Sequence, residues 1–486
     1  MHISSLPGKS GIGTLGKEAR DFADFLQAAG QTCWQVLPVC PTGYGDSPYQ
    51  SFCCEAGNPY FIDLDELARQ GLLDKSDYEA VPWGENPSEV NYGILYRERH
   101  KILRTAAKNF LAAPDAQYGA FLKENASWIE DYAVFMTLKE RNSGKPWYLW
   151  EAPLRNREKA ALDPFCETYH EEIAIWKAIQ YLFFCQWNAL KRYTSSKGIL
   201  MIGDLPIYVA LDSTSVWAHR ELFQLDETGM PTEVSGCPPD GFSSTGQLWG
   251  NPLYNWDFMK QDGYAWWSRR IDYLCRMFDI LRIDHFRGFE SYYAIPAGEK
   301  DARNGVWRPG PGSALFQAIR ENIGDKHIIA ENLGYLTPAV TKLLKESGYP
   351  GMKLLQFCFD ERDSDGDRTL PENFEENCVA YIGTHDNDTA LGWLASARPE
   401  DAARAREHMQ LKEEEGLVWG MLATLWSTKA KLTIATAQDL LELGSTARMN
   451  TPSRERGNWV WRALPGSFTP KLAEKLRSLT ETYDRL

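Results

Sequence analysis

Short apolar runs that end in a polar or charged residue alternate with helical patterns along the chain, and this alternation most constrains the fold. Patterns typical of helices separate most of these runs, as in Ala314–Ile323 and Pro338–Gly348. Strands that alternate with helices predict a parallel sheet with helices packed outside it. The runs predicted to contain strands are Thr32–Val39, Gly198–Val209, Phe278–Phe286, Lys326–Gly334, Gly351–Phe357, Cys378–Asp388 and Lys431–Leu441.

An eighth strand would close this sheet into a (β/α)8 TIM barrel, and only His2–Ser5 is present to provide it. The 486 residues fit one α/β barrel with large, mainly helical insertions, so we expect residues 1–486 to form a single catalytic unit. So short a first strand predicts that backbone groups on the two neighbouring strands lack partners.

Two stretches are too long for barrel loops and are predicted to be insertions. Residues 60–195 carry helical patterns, such as Ile94–Leu111 and Glu171–Tyr193, and are predicted to form mainly a helical subdomain after strand 2. Residues 205–270 are predicted to form a second insertion after strand 3. Its segment Ser235–Trp256 is rich in glycine, proline and aromatic residues, which is typical of an active-site loop.

The bulk composition excludes several classes of protein. A net charge of −14 argues against nucleic acid or an anionic membrane as a partner. No apolar segment is long enough to span a bilayer, and the N-terminus does not resemble a signal or transit peptide. The ten cysteines form no CxxC or metal-ligand pattern, so we expect reduced thiols, no metal site and a cytoplasmic location.

Four carboxylates follow predicted strands, at the edge where the active site of a barrel lies. They are Asp204, Asp284, Glu331 and Asp386. Each one taken alone is as well explained by an ion pair or a helix cap, but four at one barrel mouth favour chemistry. Aromatic residues make up 13% of the chain, and although most are expected in the core, their flat faces suit sugar rings.

These features favour glycoside chemistry. A retaining mechanism of this chemistry needs a nucleophile and an acid/base carboxyl about 5–5.5 Å apart. Arg282 shares a strand face with Asp284 and is expected to lower its pKa, which suits a nucleophile. Glu331 follows apolar residues with no adjacent cation, so its pKa is expected to be raised, as an acid/base requires. Asp386, beside His385, is expected to stabilise the transition state.

Eight stretches between residues 4 and 462 resemble the 4-alpha-glucanotransferases of the amylomaltase type, glycoside hydrolase family 77. The stretches are "SSLPGKSGIGTLG", "WQVLPVCPTGYGDSPYQSFCCEAGNPY", "GDLPIYVALDSTSVW", "PPDGFSSTGQLWGNPLYNW", "RIDHFRGF", "AENLG", "GTHDN" and "RMNTPSRERGNWVWR". The resemblance implies a (β/α)8 barrel and retaining α-1,4 transglycosylation in maltodextrin or glycogen metabolism, without metal or organic cofactor. It assigns the nucleophile to Asp284, the acid/base to Glu331 and the stabiliser to Asp386.

The same resemblance implies residues that bind sugar. Those expected around the cleavage point are Asp204, Arg282, His285 and His385, and those expected at donor and acceptor sites are Ser47, Tyr49, Trp249 and Asn450. "PPDGFSSTGQLW" and "RMNTPS" resemble two lids over the cleft. The chain departs from the family at its short first strand and at Ser453, where the family usually has glycine.

Two other functions share most of these features. An α-1,4-glucan hydrolase would use the same three carboxylates and differ only in its products. A catalytically inactive glucan-binding protein is the other alternative, although none of the three carboxylates is missing. The expected partners are maltooligosaccharides and α-1,4-glucans, and the expected state is a monomer or a homodimer.

Overall fold

The computed structural model describes residues 1–43, 45–239, 243–334, 336–360, 370–454 and 456–486. Part of the predicted lid "PPDGFSSTGQLW", residues 240–242, lies outside the described residues. The strands in chain order are β1 (Cys33–Gln35), β2 (Leu200–Leu205), β3 (Glu233–Cys237), β4 (Gln247–Pro252), β5 (Ile280–Ile283), β6 (Ser291–Pro296), β7 (Val306–Pro309), β8 (Ile328–Ala330), β9 (Gly351–Leu354), β10 (Cys378–Tyr381) and β11 (Leu432–Ile434).

Seven of these strands form one parallel sheet in the order β1-β2-β5-β8-β9-β10-β11. Each lies within one of the seven predicted runs, so that prediction is confirmed. Asp204 on β2 pairs in register with Arg282 on β5, which places both side chains on one face of the sheet. The remaining strands form an antiparallel sheet in the order β4-β3-β6-β7.

Helices fill most of the connections, and β1 and β2 are joined by a largely helical stretch that begins after residue 60. The α-helices are α1 (Lys17–Ala28), α2 (Leu64–Arg69), α3 (Tyr92–Ile94), α4 (His100–Ala112), α5 (Tyr118–Glu124), α6 (Ile129–Arg141), α7 (Ala152–Arg155), α8 (Lys159–Thr168), α9 (His170–Ser196), α10 (Thr214–Ala218), α11 (Trp256–Gln261), α12 (Ala265–Met277), α13 (Ser313–Ile323), α14 (Pro338–Ser347), α15 (Leu355–Cys358), α16 (Ala390–Ser396), α17 (Pro399–His408), α18 (Leu417–Ser427), α19 (Ala437–Leu440) and α20 (Pro470–Thr482). In the described ranges, no helix is both long and apolar enough to cross a membrane.

Local sequence explains where individual helices begin and end. The Thr337 hydroxyl accepts a hydrogen bond from the Val340 amide at 3.3 Å, and Pro338 follows at the first helical position of α14. The helix ends at Gly348, whose φ of 73° lies in the left-handed region that glycine adopts without strain.

The barrel interior is apolar below its mouth. Side chains from β2, β8, β9 and β10 form one buried cluster on the same side of the sheet as Arg282. The members of this cluster are Ile202, Ile329, Met352, Leu354, Val379 and Tyr381. The charged groups at the strand ends therefore lie directly above a closely packed apolar cluster, which holds them in fixed positions.

The prediction of a strand at His2–Ser5 is wrong for the described structure. Ile3–Ser5 forms a 3-10 turn, in which the Ser5 and Leu6 amides donate to the carbonyls of His2 and Ile3 at 3.1 Å. These donors are used locally and are not available to a neighbouring strand. The parallel sheet consequently has β1 and β11 as its edges.

Candidate active site

Arg282 and Asp204 form a buried ion pair at the centre of the site. One Arg282 nitrogen, Nη1, donates to both Asp204 oxygens at 2.7 and 2.6 Å. The two side chains are 2% and 0% exposed, so each charge depends on the other for compensation. This pair anchors the guanidinium at the end of β5.

The same guanidinium contacts two more carboxylates. Its Nη1 lies 3.3 Å from Asp284 Oδ1, and its Nη2 lies 3.1 Å from Glu331 Oε1. Glu331 Oε2 also accepts a hydrogen bond from the His285 amide at 2.6 Å. Asp284 and Glu331 also lie close enough for each carboxyl group to shift the pKa of the other.

Asp284 is the member of this pair whose pKa is raised. Burial and the Glu331 charge raise the Asp284 pKa well above its usual value, against the opposing effect of Arg282. Burial also raises the Glu331 pKa, but Arg282 and the hydrogen bonds from Asp284 and His285 outweigh it and set that pKa at about 2.

The expected pKa order, with Asp284 low and Glu331 high, is therefore wrong for the unliganded site. Sequence adjacency suggested that Arg282 belongs to Asp284, whereas the register places its closest contacts on Asp204. Glu331 also gains a backbone donor, His285, that its own sequence neighbours do not show.

Asp386 follows β10 and is held from the opposite side of the site. Its Oδ1 accepts a hydrogen bond from Asn450 Nδ2 at 2.6 Å and lies 3.3 Å from His385 Nε2. The backbone amide of Asn450 donates a second hydrogen bond, to the His385 carbonyl at 3.1 Å. The predicted contact residue Asn450 therefore orients the predicted stabiliser.

Tyr49 links the two sides of the site. Its hydroxyl donates to Asp204 Oδ2 at 2.8 Å, and its ring stacks on His385 with centroids 5.1 Å apart. Burial and the Asp204 charge keep the Tyr49 pKa well above its usual value, so the phenol remains a donor. Ser47 Oγ accepts from the Tyr49 amide at 3.2 Å, which shapes the loop that carries the ring.

His285 presents an unused nitrogen to the site. Its φ of 47° lies in the left-handed region, and its ring packs edge-on against Trp249 with centroids 4.8 Å apart. Burial lowers the His285 pKa to about 4, so the ring is neutral near pH 7. Its buried Nε2 has no hydrogen-bond partner among the described residues, which leaves it available to a ligand hydroxyl.

The sequence-predicted residues thus form one connected group. One series of contacts runs from Ser47 and Tyr49 through Asp204 and Arg282 to Asp284 and Glu331. A second series runs from Tyr49 through His385 to Asp386. His285, with Trp249 beside it, touches Glu331, while Asn450 touches Asp386. A group of acids, donors and aromatic rings is what the hydroxyls and apolar faces of a sugar require.

A family model described as 4-alpha-glucanotransferase, glycoside hydrolase family 77, matches residues 1–466. The chain belongs to this family. It is 48% identical to the 4-alpha-glucanotransferase of Clostridium butyricum, with 100% of both chains covered. It is 47% identical to that of Thermus thermophilus, covering 100% of this chain and 98% of the relative.

A solved amylomaltase from Streptococcus agalactiae, in complex with acarbose, has a TM-score of 0.97 and 42% identity, covering 100% of this chain and 98% of its own. This similarity and the curled parallel sheet confirm the predicted fold class, a (β/α)8 barrel with helical insertions. Family membership confirms the predicted enzyme class, a transferase that moves segments of α-1,4-glucans. The residue roles and the covalent intermediate stay predictions.

Sequence reasoning missed three groups at the site of this glucanotransferase. Arg448 donates from Nη2 to the Asp386 carbonyl at 2.5 Å, and Trp459 packs 5.8 Å from the His385 ring. Tyr381 donates to Gln35 Oε1 at 2.9 Å inside the barrel. Arg448 and Trp459 lie in the family motif "RMNTPSRERGNWVWR", so the motif was the available signal. Tyr381 has no such signal, because its position depends on pairing between β10 and β9.

The described residues contain no cluster of three or more histidine, cysteine or acidic side chains able to hold a metal ion. In the same ranges the cysteines are free thiols. Burial raises the pKa of Cys40 to about 12, which makes this thiol a poor nucleophile near neutral pH.

Proposed function

We propose that the chain transfers a segment of an α-1,4-glucan by double displacement, with Asp284 as nucleophile, Glu331 as acid/base and Asp386 as stabiliser. The observation that carries this proposal is that the Asp284 and Glu331 carboxylates contact the same Arg282 guanidinium, at 3.3 and 3.1 Å. Inverting enzymes separate their carboxyl groups by about 6.5–9.5 Å to admit a water, and retaining enzymes hold them about 5–5.5 Å apart. Two carboxylates that contact one guanidinium suit the shorter spacing. The geometry therefore favours retention.

In the first step an Asp284 oxygen attacks the anomeric carbon, and the bond from that carbon to the leaving O4 breaks. Glu331 supplies the proton that the leaving oxygen takes. Because Asp284 has the raised pKa in the unliganded site, the proposal requires a proton transfer to Glu331 as the donor binds. A glycosidic oxygen beside Glu331 offers a protonated Glu331 a hydrogen bond, which favours this transfer.

In the second step Glu331 takes the proton of an acceptor 4-hydroxyl. The acceptor oxygen then attacks the anomeric carbon, and the bond to Asp284 breaks. Positive charge develops on the sugar in both transition states, and the Asp386 carboxylate stabilises it. The proposed roles of His285, Asp204, Arg282 and His385 are to bind sugar hydroxyls near the cleavage point.

The aromatic groups Tyr49 and Trp249 favour transfer over hydrolysis, because a glucan chain packed on them excludes water. Ser47, Tyr49, Trp249 and Asn450 are proposed as donor and acceptor contacts. The neighbour from Streptococcus agalactiae was solved with acarbose, which supports maltooligosaccharides and α-1,4-glucans as ligands. We expect no organic cofactor.

The organisation of the chain is also proposed. We propose one catalytic unit over residues 1–486, with a mainly helical subdomain at 60–195 and a second insertion at 205–270. A monomer or a homodimer in the cytoplasm is the expected state, and the net charge of −14 supports partners other than nucleic acid or anionic membranes.

Incubation with pure maltotriose tests the proposed function. Transfer produces glucose together with a ladder of longer maltooligosaccharides, whereas hydrolysis produces only glucose and maltose. An Asp284→Asn variant is expected to yield neither set of products. A folded wild-type chain without any product would support the glucan-binding alternative instead.

A further inference from the structure

A cationic side chain outside the carboxylate group holds two backbone carbonyls of the site. Arg448 donates from Nη2 to the Asp386 carbonyl at 2.5 Å and from Nε to the Asn450 carbonyl at 2.7 Å. The planar guanidinium fork can hold two acceptors in fixed relative positions, which a lysine cannot. Arg448 therefore fastens the strand-end residue Asp386 to the segment 448–450.

Asp386 is the proposed catalytic carboxylate that most needs such support. Its side chain is 41% exposed, compared with 24% for Asp284 and 15% for Glu331. Asp284 and Glu331 share the buried Arg282, whereas the Asp386 carboxylate is held by Asn450 at 2.6 Å and lies 3.3 Å from His385. Its orientation thus depends on where Asn450 lies.

The Asn450 position depends in turn on Arg448. Arg448 donates a hydrogen bond to the backbone carbonyl of Asn450, and the backbone amide of Asn450 donates to the His385 carbonyl at 3.1 Å. Within the described ranges no carboxylate lies at ion-pair distance from Arg448. The guanidinium therefore acts on these two carbonyls and is not part of a separate ion pair.

We propose that Arg448 is a positioning residue that couples the segment 448–450 to the Asp386 carboxylate, so that a glucan bound against this segment finds the stabiliser already oriented. This inference rests on the proposed role of Asp386. Loss of the coupling lowers the rate of the chemical steps more than it weakens donor binding. It also leaves the segment 448–450, which carries the proposed sugar contact Asn450, less firmly held, which allows water to compete with the sugar hydroxyl.

The test compares Arg448→Met, Arg448→Lys and Arg454→Met in the full chain with maltotriose. Arg454 belongs to the same loop and its side chain is exposed, so Arg454→Met removes an equal charge without touching Asp386. For Arg448→Met we expect kcat to fall by at least about tenfold, with KM within about threefold of wild type, and the fraction of hydrolysis to rise. Arg448→Lys should recover part of kcat, and Arg454→Met should behave as wild type.

Three results would overturn the inference. They are wild-type kcat and product ratio in Arg448→Met, an equal loss in Arg454→Met, or a loss in Arg448→Met that only follows a lower melting temperature. Asp386→Asn separates this inference from the proposed function. If Asp386→Asn retains activity, the proposed role of Asp386 fails, whereas an inactive Asp386→Asn beside a fully active Arg448→Met contradicts the coupling alone.

Discussion

At the scale of single residues, one arginine sets the ionisation of the site. Arg282 compensates Asp204 fully and reaches Asp284 and Glu331 with its remaining contacts. Three carboxylates share one cation, and burial together with the Glu331 charge raises the Asp284 pKa well above its usual value. This raised pKa has consequences for stability and for pH dependence.

Replacement of Asp284 by asparagine is expected to raise the melting temperature while abolishing transfer. The folded-state pKa of Asp284 lies above its unfolded value, so wild-type stability falls as pH rises from about 4 towards the folded pKa. Asparagine removes this loss. Calorimetry should show Asp284→Asn melting a few degrees higher than wild type at about pH 7 and equal to it near pH 4.

The matched control is Asp204→Asn, which leaves the buried Arg282 charge without its main partner. Breaking a buried ion pair costs about 3–5 kcal/mol, so this variant should melt below wild type. A lower melting temperature for Asp284→Asn at about pH 7 would mean that Asp284 is ionised in the folded protein.

The pH dependence of kcat/KM should show an alkaline limb without an acid limb near neutrality. In the proposed mechanism activity requires one proton on the Asp284–Glu331 pair, and that proton is lost as pH rises through the raised Asp284 pKa. A second proton binds only near the Glu331 pKa of about 2. The measurement is kcat/KM from about pH 4 to pH 9.

Asp439 provides the control for this profile, because burial raises its pKa to about 6 and it accepts the Ala390 amide at 2.7 Å. An Asp439→Asn variant should keep the alkaline limb of the wild-type profile. Loss of that limb in Asp439→Asn would assign it to this buried aspartate and not to the catalytic pair.

At the scale of elements, the loop around Tyr49 joins two strand ends of the barrel. Tyr49→Phe keeps the ring on His385 but removes the 2.8 Å hydrogen bond to Asp204. Hydrogen bonds to charged groups contribute about 1.5–3 kcal/mol, so kcat/KM is expected to fall by about tenfold to a hundredfold. Steady-state kinetics on maltotriose measures this loss.

Tyr193→Phe is the comparison variant, because it removes a 2.8 Å hydrogen bond to Asp24 at an exposed position away from the site. Its kcat/KM should match that of the wild type. An unchanged kcat/KM in Tyr49→Phe would show that the Tyr49 hydroxyl has no part in catalysis.

Elements also show how far sequence reasoning extends. The seven strands were predictable because buried parallel strands are short apolar runs between helices. The turn at Ile3–Ser5 was not, since the four residues His2–Ser5 are too few to show a periodicity and their local hydrogen bonds decide the outcome. Strand-end positions located Asp284 and Glu331, but their pKa order depended on register and on the His285 amide.

At the scale of the whole molecule, the barrel brings together groups that are far apart in sequence. Tyr49, Asp204 and Asn450 come from three distant segments and meet because strand ends share one edge of the sheet. Motifs predicted which segments take part. The contacts of Arg448 with Asp386 and of Tyr381 with Gln35 required the folded chain, because in both pairs the partner is far away in sequence.

The most direct test of the central claim is to identify the residue that carries the covalent glucan. A Glu331→Gln variant incubated with an α-maltosyl fluoride should accumulate a glycosyl-enzyme, because fluoride leaves without an acid while the second step lacks its base. Peptide mass spectrometry should then find the added maltosyl group on Asp284. A maltosyl group on any other residue, or a β-configured maltose product with no adduct, would contradict the account.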